Sequence, residues 1–192
     1  MSTVVTNNPR HEEMMGLATR ALDHFQNHTT DMAPEPMLMP VEAYTNQERY
    51  AAERERIFKN LPLALALSLE LPEAGDYKAM TVMETPIILC RNDQGRVKCF
   101  LNACRHRGAR LCEDGRSSSR VFACPYHAWT YDRDGSLIGR YAEETFGELD
   151  YSQYGLTELP CEERSGLIWV SLTPHAHFDL DEWLGDFAAE LD

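Results

Sequence analysis

The sequence predicts a mainly β fold of antiparallel sheets with helices added at both ends. Three observations carry that expectation. Short apolar or alternating runs, each closed by turn residues, recur between Tyr77 and Leu172. Apolar residues at helical spacing occur only before that stretch and after it. No segment repeats, so a solenoid or propeller is not indicated.

The elements follow in order. Asn8-Pro9 is a helix start, and Met14, Ala18, Leu22 and Phe25 then share one face, as in an amphipathic helix packing on a larger body. Thr29 to Pro40 carries three prolines and reads as an extended connector. Thr45 and Glu48 form a capping box for a second helix, which runs to about Lys59 and offers Tyr50, Ile57 and Phe58 to a core. Leu63, Leu65, Leu67 and Leu69 alternate with other residues, the period of a strand. Strands are expected at Tyr77–Met83, Pro86–Arg91 and Arg96–Leu101, with a hairpin turn at Asn92–Gly95. Val121–Ala123 and Trp129–Tyr131 are short strands, Asp132–Gly135 a tight turn, and Gly166–Leu172 the clearest late strand. Asp179 to Leu191 reads as a closing acidic helix.

Composition narrows the function. The chain has 192 residues, is 43% hydrophobic and carries a net charge of −13. Such an acidic chain is not expected to bind nucleic acid, which needs a basic face. No apolar run approaches the ~20 residues that span a bilayer, and Met1 to Arg10 lacks a signal-peptide core. The expectation is a cytoplasmic protein without a membrane partner. In a reducing compartment, six cysteines in 192 residues point to metal ligands or small core residues rather than disulfides.

Two short motifs stand out. Cys104-Arg105-His106 and Cys124-Pro125-Tyr126-His127 read C-x-H, seventeen residues, C-x-x-H. A structural zinc site also uses two cysteines and two histidines, but usually pairs like with like along the chain. Here each loop holds one thiolate and one imidazole. That suits a binuclear cluster in which one iron takes both thiolates and the other both imidazoles. The remaining candidates are weaker. Cys90 and Cys99 fall in expected core strands, Cys112 has a packing position, and Cys161 has no partner signal. His175-x-His177 reads as a surface pair, and His11, His24 and His28 show no ligand grouping. Trp129 and Tyr131 fit either a shield for the site or core packing.

Cys104-Arg105-His106-Arg107-Gly108-Ala109, with Cys124-Pro125-Tyr126-His127-Ala128-Trp129-Thr130-Tyr131, resembles the Rieske domain of aromatic-ring-hydroxylating oxygenase large (alpha) subunits. The likeness extends to Leu101-Asn102 and Asp134-Gly135, and more weakly over Tyr44 to Leu172. It implies a Rieske-type domain with two cluster-binding loops at 44–172, after an N-terminal helix and connector at 1–43. It implies one [2Fe–2S] cluster on Cys104, His106, Cys124 and His127, with a potential in the range of roughly −150 to +300 mV. High-potential relatives carry an extra cysteine in each loop and a hydroxyl donor after the last histidine. Ala109, Tyr126, Ala128 and Trp129 hold those positions here, so the low end of the range is expected.

The resemblance further implies a relay of single electrons from a reductase or ferredoxin to a mononuclear Fe(II) on two histidines and a carboxylate. That iron belongs to a second domain expected to be missing from this chain, with 173–192 its opening. The chain would then be catalytically incomplete, with no catalytic residues of its own, and a trimeric or mixed oligomeric assembly is implied for the intact subunit. The substrate is not legible. A stand-alone low-potential Rieske ferredoxin is the alternative, and a zinc-stabilised binding module a third reading. Arg105, Arg107, Arg110, Arg116 and Arg120 crowd the ligand loops against only Glu113 and Asp114. They read equally as a docking face for an acidic donor or as partners of local carboxylates.

Overall fold

A computed structural model describes residues 9–142, 144 and 147–191. Asn8, the expected helix start, and the outermost residues of the expected segments 1–43 and 173–192 lie outside them. The chain divides into two units, Met1–Tyr44 and Thr45–Asp192.

In the first unit, α1 (Pro9–Asn27) opens on proline, whose fixed φ and missing N–H suit a first helical position. Its apolar stripe is not buried as expected: Met14, Leu22 and Phe25 are exposed. One helix and an irregular connector are too little chain to enclose such a stripe. α2 (Glu42–Thr45) is a single turn in which the chain passes from the first unit to the second.

The second unit opens with α3 (Gln47–Glu53). Its cap is Asn46 rather than Thr45: the Asn46 Oδ1 accepts from the Arg49 amide at 2.8 Å. Asparagine is the stronger cap, and the following residue supplies the better register. The helix widens into a π turn at Arg54–Phe58. That breaks the 3.6-residue spacing, leaving Tyr50 and Ile57 exposed and Phe58 half-buried.

Among the described residues, eleven strands follow: β1 (Leu63–Leu67), β2 (Asp76–Val82), β3 (Thr85–Arg91), β4 (Val97–Leu101), β5 (Gly115–Ser118), β6 (Phe122–Ala123), β7 (Thr130–Tyr131), β8 (Leu137–Gly139), β9 (Glu158–Leu159), β10 (Cys161–Arg164) and β11 (Leu167–Val170). They form three antiparallel sheets, ordered β1-β11-β10, β5-β2-β3-β4-β9 and β6-β7-β8. The expected mainly β class is therefore what the chain adopts. The leucine alternation in β1 is broken by a bulge between Ala64 and Ala66, so Ala66 turns inward while Leu67 and Leu69 are exposed. The closing helix is also interrupted. α4 (Leu180–Leu184) ends at Gly185, whose φ of +51° leaves the helical region, and α5 (Ala188–Leu191) resumes after a short 3₁₀ turn.

The five-stranded sheet is the middle layer. In β3, Ile87 and Leu89 face one core with Ala66, Ile168 and Val170. Ile88 and Cys90 face the other, with Phe100, Phe122, Trp129 and Tyr131. Burial on both faces explains why this strand reads as a continuous apolar run. Each such side chain contributes about 1.5–3 kcal/mol of burial. At the Asp132–Gly135 turn, a Cβ on Gly135 would lie 2.5 Å from the Phe100 ring, so only glycine lets the small sheet close on the middle one. No helix among the described residues is long and apolar enough to cross a membrane.

Candidate metal centre

The first motif sits in the loop after β4 and the second at the tip of the β6–β7 hairpin. The two loops repeat one backbone pattern. The Cys104 amide donates to the Ala109 carbonyl at 2.8 Å, and the Cys104 carbonyl accepts from Gly108 at 2.8 Å. The Cys124 amide donates to the Trp129 carbonyl at 2.8 Å, and the Cys124 carbonyl accepts from Ala128 at 2.9 Å. Each loop turns through a positive φ at the fifth residue, +71° at Gly108 and +51° at Ala128.

Neighbouring side chains fix the first loop. Buried Asn102 closes its base: Oδ1 accepts from the amides of Leu111 (2.9 Å) and Cys112 (3.1 Å), and Nδ2 donates to the Cys112 carbonyl (2.7 Å). Tyr131, fully buried on β7, reaches across from the second hairpin. Its hydroxyl accepts from the Arg105 amide at 3.0 Å and lies 3.3 Å from Cys104 Sγ, positioned to donate to a thiolate. The Trp129 ring lies nearly parallel to the His106 imidazole, 5.1 Å between centroids.

The four candidate ligands come together as like pairs. Cys104 and Cys124 are buried and within hydrogen-bonding reach of each other. His106 and His127 are half-buried, with ring centroids 4.8 Å apart. The thiols thus point inward and the imidazoles outward. Among the described residues, no group of three or more His, Cys, Asp or Glu is placed to hold one metal ion. What the loops offer is a thiol pair and an imidazole pair, the donor set of a binuclear iron–sulfur cluster with mixed ligation. One atom tests the fit directly. Nδ1 of His127 is buried with no hydrogen-bond partner, a cost that a bonded metal ion would remove.

Electrostatics bear on the same point. Burial, ahead of its other neighbours, pushes the Cys104 thiol up, while the Tyr131 hydroxyl favours the thiolate. Burial, then Arg107 and His127, holds the His106 imidazole below the usual histidine range, in the neutral form that binds metal. Burial and the Cys104 contact push the Tyr131 phenol well up, so it stays a donor.

The other sequence candidates lie elsewhere. All six cysteines are free. Cys90 and Cys99 are core residues, as expected, and burial raises the Cys90 thiol to about 12. His175 and His177 are exposed. Asn102 and Tyr131 were noted in the sequence, but their positioning roles were not. Asn102 gave only its place beside the motif as a signal. Tyr131, four residues beyond His127, brings a hydroxyl to the Cys104 sulfur, although Ala128 and Trp129 offer none.

This fold and donor set define an iron–sulfur electron-transfer domain of the Rieske type. Residues 62–153 match the family model for the Rieske [2Fe-2S] domain. The chain carries this domain, and it aligns with the N-terminal part of Rieske oxygenase large subunits. It is 35% identical to the glycine betaine monooxygenase oxygenase subunit of Chromohalobacter salexigens, over 96% of this chain and 42% of that one. It is 34% identical to the biphenyl 2,3-dioxygenase alpha subunit of Rhodococcus jostii, over 78% of this chain and 32% of that one. Among solved structures, the quaternary ammonium Rieske monooxygenase CntA superposes with a TM-score of 0.72 at 28% identity, over 80% of this chain and 43% of that one. Naphthalene 1,2-dioxygenase from Rhodococcus sp. gives 0.69 at 40% identity, over 76% and 33%. The chain spans less than half the length of these relatives.

Proposed function

We propose that Cys104 and Cys124 hold one iron, and His106 and His127 the other, of a single [2Fe–2S] cluster. The domain then relays single electrons from a reductase or ferredoxin towards a mononuclear iron held elsewhere in the whole oxygenase. The observation that carries this is the sorting of the four side chains into a buried thiol pair and an outer imidazole pair. When bound, the cluster supplies a one-electron couple. The chain does the rest. Asn102 and the paired loop hydrogen bonds hold the ligands in place, Tyr131 donates towards the Cys104 sulfur, and Trp129 keeps water from the inner side of His106.

The test is the anaerobically purified chain. Red-brown colour, two irons and two sulfides per chain and a Rieske EPR signal on reduction support the assignment, as does loss of that signal in Cys124→Ser and His127→Ala. Stoichiometric zinc, or a signal that survives both substitutions, refutes it. A stand-alone carrier is not favoured, because the relatives are oxygenase subunits. We further propose an oligomeric whole protein in the cytoplasm, as expected from the sequence.

For the substrate class a second reading has a specific observation behind it. The match to the glycine betaine monooxygenase takes in 96% of this chain, the aromatic dioxygenase match only 78%. We therefore favour a quaternary ammonium substrate over an aromatic ring. Turnover of the full-length protein with its reductase on glycine betaine, set against biphenyl, decides between them.

A further inference from the structure

A cavity lies where the segment after β11 passes the entry to β1. Leu61 and Pro62 on one side, and Phe178, Asp179, Glu182 and Trp183 on the other, enclose about 290 Å³. None of its lining residues belongs to either ligand loop. Both sides are anchored. Pro62 is buried, and the Thr173 hydroxyl donates to the Lys59 carbonyl at 2.8 Å, which ties the two segments together. Leu180, 1% exposed, pins the start of α4 to the body of the unit.

The lining combines aromatic surface with unpaired carboxylates. Trp183 is exposed and Phe178 half-buried, so both rings keep apolar area open to solvent. Asp179 caps α4: its Oδ1 accepts from the amides of Asp181 and Glu182 at 2.9 and 3.0 Å. That answers the helix N-terminus and leaves Oδ2 without a hydrogen bond among the described residues. Neither Asp179 nor Glu182 makes an ion pair there. The neighbouring cations are taken, Lys59 by Glu55 at 2.7 Å and Arg164 by Asp181 at 2.8 Å. His177, exposed, is the remaining ionisable side chain of the lining. Ring faces and carboxylates both favour positive charge, and the apolar floor favours methyl groups. An inorganic cation is the poorer fit, since among the described residues no three His, Cys, Asp or Glu side chains converge as metal ligands do. The volume suits a small ligand, ordinary ligand pockets running from about 300 Å³ upwards.

We propose that this cavity binds a small organic cation of the quaternary ammonium type, its methyl groups against Phe178 and Trp183 and its charge towards Asp179 and Glu182. The site is additional to the cluster and to any substrate-oxidising site of the whole oxygenase, and it stands independently of the relay function. A zwitterion with the same headgroup is disfavoured, because its own carboxylate meets those of Asp179 and Glu182. A neutral molecule of the same shape keeps the apolar contact and loses the attraction of its charge to rings and carboxylates.

Tetramethylammonium chloride is titrated into the full chain, sodium chloride holding the ionic strength constant, and saturation transfer from protein to the methyl protons is followed by NMR. Saturable binding at about millimolar concentration is expected, about fivefold tighter than that of the similarly shaped neutral tert-butanol. Glycine betaine, a zwitterion, should bind more weakly than tetramethylammonium. Trp183→Leu, which keeps an apolar side chain and removes the π face, should weaken binding by about fivefold, and Glu182→Gln by about two- to fivefold. Both side chains are exposed, so neither change threatens the fold. Glu113→Gln, the same charge change beside the first ligand loop, should leave the affinity as it is. Equal binding of tert-butanol, tighter binding of glycine betaine, wild-type affinity in Trp183→Leu or equal weakening by Glu113→Gln overturns the proposal. So does the absence of saturable binding, the result expected if the two rings instead pack on another part of the whole protein. None of these outcomes touches the cluster assignment, which is read from colour, iron content and EPR.

Discussion

Tyr131 is buried at the junction of the two loops and does two jobs with one oxygen. A donor to a ligand sulfur stabilises the reduced, more negative state. Such a hydrogen bond is worth about 0.5–1.5 kcal/mol, or ~20–65 mV for one electron at ~59 mV per tenfold. Tyr131→Phe should lower the midpoint potential by that amount in a redox titration, and an unchanged or higher potential would remove the assigned role. Ala128 is a different case. It holds φ +51° while exposed, a conformation that costs an L-residue about 1–2 kcal/mol. Ala128→Gly should therefore stabilise the fold by up to about 1 kcal/mol after the extra entropy of unfolded glycine, read as a higher melting temperature; a lower melting temperature would contradict this. The four candidate ligands were legible because two soft and two borderline donors recur at short, fixed spacing. Tyr131 was not, because its bonds to Cys104 and Arg105 cross more than twenty residues of chain, and apolar packing alone accounts for a buried tyrosine in a strand.

Among the elements, legibility followed apolar content. The β2–β3–β4 meander was readable within a residue or so, since its side chains fill two cores and its second turn carries Gly95. The strands β5, β8, β9 and β10 were missed. β5 is polar and wholly exposed, and the others span two to four residues, too short for a period to register. The bulge in β1 shows the opposite failure: a clear alternation was present, and one extra residue reversed which side chains it buries. The first loop is closed at its base by three hydrogen bonds from Asn102. Asn102→Ala strands the amides of Leu111 and Cys112, at about 1–3 kcal/mol for each buried unsatisfied group. Lower thermal stability and reduced iron content per purified chain are expected, with the second loop's ligands intact. Full iron loading at wild-type stability would show that the loop closes without it.

At the scale of the whole molecule, the layering of three sheets was not legible, because strand order depends on pairings between distant segments. One side-chain clamp joins two of the layers. Arg91 on β3 meets Glu163 on β10 through two parallel hydrogen bonds of 2.8 and 2.9 Å, and its remaining N–H groups reach the carbonyls of Leu71 and Gly95. Hydrogen bonding to Arg91 holds the Glu163 carboxyl below the ordinary glutamate range. A depressed native value means that this stabilisation is complete above the unfolded glutamate range and is lost as pH falls towards the native value. Glu163→Gln should thus flatten the acid limb of a stability-against-pH curve and leave its neutral-to-alkaline shape alone; parallel curves would exclude the clamp as a contributor. The matched pair of ligand loops has its own consequence at this scale. Each loop is closed by its own two backbone hydrogen bonds, and Asn102, Trp129 and Tyr131 tie the first loop to its surroundings. Candidate ligands held in that way would have little room to shift on arrival of an electron. With the proposed cluster bound, a small reorganisation energy is expected, so that transfer rates follow distance and driving force rather than movement of the protein.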